Sequence, residues 1–191
     1  MRFVIQLLAM MAVALAVGFG LSYYALTDGR LFAAYEVGPW AAWPDVGSPS
    51  PNPYTRAYLA RTGSLQLGGT EGLQFIARAD SSGIPLERTC RYRIEGGTPV
   101  ASFWTLVPTD PDGMDIARPD GPPAFHSTRI AREEDGSMIL FVSRSIAPQN
   151  WLEISGEGFF ELVLTLYDSS VFAGVGSAVE ALPSITREAC L

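Results

Sequence analysis

From residue 73 onward the apolar side chains recur at every second position, the spacing of strands. In CRYRIE, residues 90 to 95, Cys90, Tyr92 and Ile94 alternate with Arg91, Arg93 and Glu95, giving one dry face and one wet face. VASFWTLV (100 to 107) and SMILFVS (137 to 143) are nearly continuous runs of aromatic and branched residues, as central strands require. In NWLEISGEGFFELVLTLYD (150 to 168), Phe160, Leu162, Leu164 and Leu166 form an apolar face and Phe159, Glu161, Val163, Thr165 and Tyr167 a mixed one. Trp151, just ahead of the Gly156 and Gly158 turn, is expected to cover the end of the core. DSSG (80 to 83) and EEDGS (133 to 137) read as turns. In the second, the Asp135-Gly136 pair is expected to supply the positive backbone angles of a tight hairpin between HSTRIAR and SMILFVS. No 12-residue helical stripe interrupts the series. The pattern predicts a mainly β chain, an antiparallel β-sandwich of jelly-roll type.

The N-terminus follows another rule. Phe3 to Leu26 are 24 residues without a charge, with Gln6 and Ser22 the clearly polar side chains. As a helix this stretch crosses the roughly 30 Å hydrocarbon layer of a membrane. A cleaved secretory peptide has a shorter apolar core, about 7 to 15 residues, and its best cleavage site here is Gly18-Phe19-Gly20. An uncleaved transmembrane anchor over residues 1–28 is therefore expected, with Tyr23 and Tyr24 at the interface. Either reading puts the remaining chain outside the cytoplasm. Residues 29–51 are rich in Gly and Pro and read as a connector, with Trp40 and Trp43 as anchors onto the domain that fills 52–191. That domain opens with a short helix: Asn52 caps it, Pro53 starts it and Gly63 stops it. Tyr54 and Tyr58, four apart, are expected to pack on the domain.

Hydrophobic residues make up 48% of the 191, enough to bury a core. The 13 basic residues are all arginine and face 20 acidic ones, a net charge of −7. That balance excludes a nucleic-acid partner, which would need clustered positive charge. Cys90 and Cys190 lack the paired spacing of a zinc site. An oxidising compartment would let them bridge; two unrelated thiols are the alternative.

The candidates for chemistry are few. His126 is the one histidine, and although Ser127 follows it, no G-x-S-x-G pattern surrounds any serine. A strand or edge histidine is the plainer reading. Asp110, Asp112, Asp115 and Asp120 lie close together in sequence, but without the spacing and closing glutamate of a calcium loop they read as solvated turns. Neither a metal nor a cofactor is expected. Trp104, Trp151 and Tyr167 are candidates to stack on a sugar or small molecule, against the commoner role of aromatic side chains in packing. Trp104, His126 and Trp151 thus stand as candidate ligand-binding residues. No catalytic set assembles in the sequence. The expected function is an interaction or ligand-binding module of the cell envelope, its partner another envelope protein or a small polar ligand. The alternative is a carboxylate-based enzyme acting on a carbohydrate or other small polar substrate.

Nine phrases, in order, carry a family resemblance: GPW (38 to 40), NPYTRAYLARTG (52 to 63), DSSGIPL (80 to 86), CRYRIEG (90 to 96), FWTL (103 to 106), EDGS (134 to 137), NWL (150 to 152), LTLYD (164 to 168) and LPSITREAC (182 to 190). Together they resemble the bacterial domain of unknown function 1214, in its small membrane-anchored form. The resemblance implies a jelly-roll β-sandwich, an envelope location and a Cys90–Cys190 link; with the N-terminal anchor, the expected place is the bacterial inner membrane, single-pass, with the bulk of the chain in the periplasm. The resemblance implies no reaction. Two positions depart from the family's pattern: Glu153 stands where proline is common, and Thr165 where arginine is common.

Overall fold

The computed structural model describes residues 2–28, 35–43, 50–62, 67, 71–97, 101–118, 120–169 and 182–190. Helix α1 spans Arg2–Asp28, and its side chains from Arg2 to Tyr24 are exposed. Strands β1 (Tyr35–Val37) and β2 (Trp40–Ala42) form a hairpin about Gly38 and Pro39. These strands come from the stretch expected to be a connector, and they pair onward with the domain. Trp40 and Trp43 are buried, as expected of anchors. Helix α2 (Pro53–Thr62) is capped as anticipated, the Asn52 Oδ1 accepting the Tyr54 N–H at 3.0 Å. Gly63 lies outside the described residues, as does the Tyr58 side chain. Tyr54 is 47% exposed, so the face of α2 turned to the domain is instead the one carrying buried Thr55 and half-buried Leu59.

Eight further strands follow: β3 (Gly72–Ala77), β4 (Cys90–Gly96), β5 (Ala101–Thr109), β6 (Phe125–His126), β7 (Met138–Ser143), β8 (Asn150–Glu153), β9 (Glu161–Ser169) and β10 (Ser184–Cys190). They build a six-stranded sheet in the order β1-β2-β3-β9-β5-β6 and a four-stranded sheet in the order β10-β4-β7-β8. One hydrophobic cluster draws on both: Phe75, Trp104 and Leu164 from the larger sheet meet Tyr92, Leu140 and Ile185 from the smaller. Each such side chain, fully buried, contributes about 1.5 to 3 kcal/mol. The Trp40 indole N–H reaches across to the Pro183 carbonyl at 2.7 Å. Gly72 must lack a side chain, because a Cβ there would stand 2.3 Å from the Leu166 carbonyl oxygen.

Three turns share one geometry. In 80–84, 110–114 and 133–137 the first residue's N–H donates to the fifth residue's carbonyl, at 2.9, 2.8 and 2.9 Å. The fourth residue is each time a glycine, Gly83, Gly113 or Gly136, with φ of +83°, +81° and +83°. This is the five-residue pattern in which a turn ends on a left-handed residue. The positive angle falls on Gly136 and not on Asp135, whose carboxylate accepts the Ser137 N–H instead.

The expectation of an antiparallel fold holds for most pairs and fails for one. β8 runs parallel to β7, with Leu140 opposite Asn150 and Phe141 opposite Trp151. The cause is a side chain. The buried Asn150 amide accepts the Ala131 N–H and donates to the carbonyls of Ala131 and Ile139, each at 2.8 Å. It thereby mimics a peptide group between the 131 segment and β7. The expected HSTRIAR–SMILFVS hairpin shrinks to an Arg132–Met138 bridge, and β8 takes the remaining edge.

Candidate functional site

Strand β5 turns Trp104 and Leu106 into the core, so Phe103 and Thr105 face outward from the six-stranded sheet. The register sets their neighbours. Phe103 lies opposite Tyr167 and Thr105 opposite Thr165, both on β9, while Thr105 on its other side meets His126 of β6. Ring centroids of Phe103 stand 5.8 Å from those of both His126 and Tyr167. The result is a half-exposed strip of three rings beside the half-exposed Thr105, with Thr165 buried at 6% exposure. Gln74 of β3 extends it, its Nε2 donating to the Thr165 Oγ1 at 3.5 Å. His126 Nδ1 is 2.9 Å from the Thr128 Oγ1.

The sequence named His126 and Tyr167 separately, and the fold brings them to one face. Phe103 was missed, although its alternation with buried Trp104 was the available signal. Trp104 is 2% exposed and belongs to the core. Trp151 is elsewhere too: it lies on the outer face of the four-stranded sheet, where its indole N–H is shared between the Ser143 carbonyl at 3.2 Å and hydroxyl at 3.1 Å. The core below is covered by its neighbours Asn150 and Leu152, not by Trp151.

Three carboxylates that the fold draws in are each spent on a cation: Glu161 on Arg78 at 2.6 Å, Glu153 on Arg118 at 2.9 Å and Asp80 on Arg187 at 3.4 Å. Asp110 and Asp115 accept nearby backbone N–H groups at 2.8 Å, from Met114 and Ala117, which is turn work.

The Asp80–Arg187 pair anchors a buried polar lock. Asp80, 3% exposed, also accepts the N–H groups of Ser82 and Ile84 at 2.9 and 3.0 Å. Arg187 donates to the Pro85 carbonyl and lies over the Tyr92 ring, 5.5 Å from its centroid. The Tyr92 hydroxyl accepts the Glu87 N–H at 2.8 Å. Burial raises the Tyr92 phenol above its ordinary 10.0, with the Glu87 hydrogen bond and the Arg187 charge pulling weakly the other way. The folded protein thus retains a proton that the unfolded chain gives up, so stability is full below pH 10 and falls as pH rises through the folded value. Denaturation midpoints from pH 8 to 11 should decline for the wild type and flatten in Tyr92→Phe, and equal slopes would remove Tyr92 as the cause.

The disulfide closes this lock. Cys90 and Cys190 are register partners on β4 and β10, with Cα atoms 3.9 Å apart. A disulfide-closed β protein of two sheets behind a long apolar helix, with an aromatic strip on one outer face, is the class these features define. The chain belongs to the DUF1214 family of proteins of unknown function, whose profile matches residues 71–171. No curated relative matches the sequence. Among solved structures, the VPA0106 protein of Vibrio parahaemolyticus is similar over 71% of this chain, with 18% identity and a TM-score of 0.56. An uncharacterized protein of Burkholderia cenocepacia is similar over 87%, with 16% identity and a TM-score of 0.47. The chain spans 35% and 39% of the lengths of those two chains.

Proposed function

We propose that the protein is a single-pass inner-membrane protein whose periplasmic domain, a β-sandwich of jelly-roll type, binds a small polar ligand of sugar type on the outer face of its six-stranded sheet. The core shared by both sheets supports the sandwich, and the repeated passage of the chain between sheets (β3 to β4 to β5, β6 to β7, β8 to β9 to β10) supports its type. Retention of α1 as an anchor is supported by its 27 residues, longer than a cleaved leader's apolar core. The disulfide fits an oxidising compartment.

The observation that carries the binding reading is the register that sets Phe103, His126 and Tyr167 side by side with Thr105, Thr165 and Gln74 between and beside them. Aromatic faces receive the apolar C–H face of a sugar ring, and hydroxyls and amides receive its edge. Position 165, where the family resemblance points to arginine, is a neutral threonine, 6% exposed, buried among these residues. A neutral ligand suits it.

Detergent-solubilised full chain applied to a panel of neutral oligosaccharides should bind a subset. Phe103→Ala and Tyr167→Ala should each weaken binding at least about fivefold, corresponding to ~1 kcal/mol per lost ring contact. Phe159→Ala, an exposed ring on a distant turn, should leave it unchanged. Binding by no glycan, or equal binding by all variants, would defeat the reading.

A further inference from the structure

Helix α2 presents two unlike faces. Thr55 is buried, and Leu59, one turn on, packs with Ala41, Trp43 and Ile76 of the sheet domain. Tyr54, Arg56 and Arg61 are exposed, and the helix contains no acidic residue. The guanidinium carbon of Arg61 lies 5.4 Å from the ring centroid of Tyr23 on α1. Tyr23 is next to last in the apolar span Arg2–Tyr24, where a membrane-crossing helix leaves hydrocarbon for headgroups. Arg61 is therefore set at headgroup depth. The chain as a whole carries −7, and an acidic domain held close to an anionic leaflet is repelled by it. Two arginines on the element nearest the span reverse that sign locally.

We propose that α2 docks on the periplasmic leaflet of the membrane that α1 crosses, with Arg56 and Arg61 binding the phosphates of anionic phospholipid headgroups. The inference rests on the reading of α1 as a retained anchor. Arg61 then serves two partners, the Tyr23 ring on one side and a phosphate on the other, and Tyr54 joins Tyr23 and Tyr24 in the aromatic belt. Leu59 and Thr55 transmit this seat to the domain, so that the six-stranded sheet is held at a fixed height and tilt over the bilayer instead of swinging on a tether.

The test uses the full chain in nanodiscs, with a ketone-bearing amino acid at position 54 carrying an oxime-linked nitroxide, which leaves the disulfide intact. In phosphatidylglycerol discs the label should show the oxygen and nickel-chelate accessibility of headgroup depth. With phosphatidylcholine alone, or in the Arg56→Gln/Arg61→Gln variant, it should move to bulk water, and the Arg56→Lys/Arg61→Lys variant should restore it. A label in bulk water while the chain stays in the disc overturns the docking, as does a depth indifferent to lipid charge and to both arginines. Protection that requires a second protein in place of lipid also overturns it. Loss of the chain from discs altogether would instead refute the anchor.

Discussion

Reduction of the Cys90–Cys190 disulfide should destabilise the domain by about 4 to 5 kcal/mol, the chain-entropy expectation for a closed loop of this size. The two cysteines are 100 positions apart, so the bond restrains most of the domain in the unfolded state. It also pins β10, an edge strand of the four-stranded sheet. Without it, β10 keeps its antiparallel pairing with β4, buried Ile185, the Ser81 hydrogen bonds to Ile185 and the Asp80–Arg187 pair, but loses its one covalent tie. Cys190 is exposed, so reductant can reach the bond without prior unfolding. Thermal melts of full chain in detergent, with and without a phosphine reductant, should differ by roughly 10 °C or more. A difference of only about a degree would mean that the bond restrains nothing the fold does not already restrain.

Asn150→Asp should cost about 3 kcal/mol, although the two side chains have the same shape. The amide makes three hydrogen bonds of 2.8 Å, two as donor, at a position 6% exposed. A carboxylate keeps the acceptor for the Ala131 N–H but turns its second oxygen toward the Ala131 and Ile139 carbonyls. Those carbonyls lose their donor, and a buried charge faces two dipoles of its own sign. The midpoint in chemical denaturation should drop with little change in slope, and native-state amide hydrogen exchange should show the parallel β7–β8 pair losing protection. A midpoint equal to wild type would show that the 131 segment is held by other means.

Much of the fold was legible because strand periodicity and turn chemistry are local. CRYRIE alternates in the structure as it does in the sequence, and the glycines of DSSG and EEDGS occupy the left-handed positions that only a residue without Cβ takes at no cost. The parallel pair was not legible, since nothing local distinguishes Asn150 as a polar loop-edge residue from Asn150 as a peptide mimic. β1 and β2 were hidden for a related reason: they are three residues each, inside a Gly- and Pro-rich stretch, and owe their strand character to the edge of β3. For the candidate site, residue type could nominate His126 and Tyr167, but only pairing across β5 makes them neighbours. Register is a long-range quantity. Trp151 illustrates the converse, because an aromatic in an apolar segment reads as core until the parity of its strand is known.

The Trp40–Pro183 hydrogen bond has a practical and a biological consequence. The region shared with the family, 71–171, contains β3 to β9, while β1, β2 and β10 lie on either side of it. Cutting at those borders would strip β2 from β3 and β10 from β4, leaving one raw edge on each sheet for other chains to zip onto. The two flanks are also sewn to each other, Trp40 of one holding the backbone of the other. They behave as the two halves of a clasp: damage to either loosens both, and the smallest piece that can be handled as a folded object runs past the family's borders in both directions.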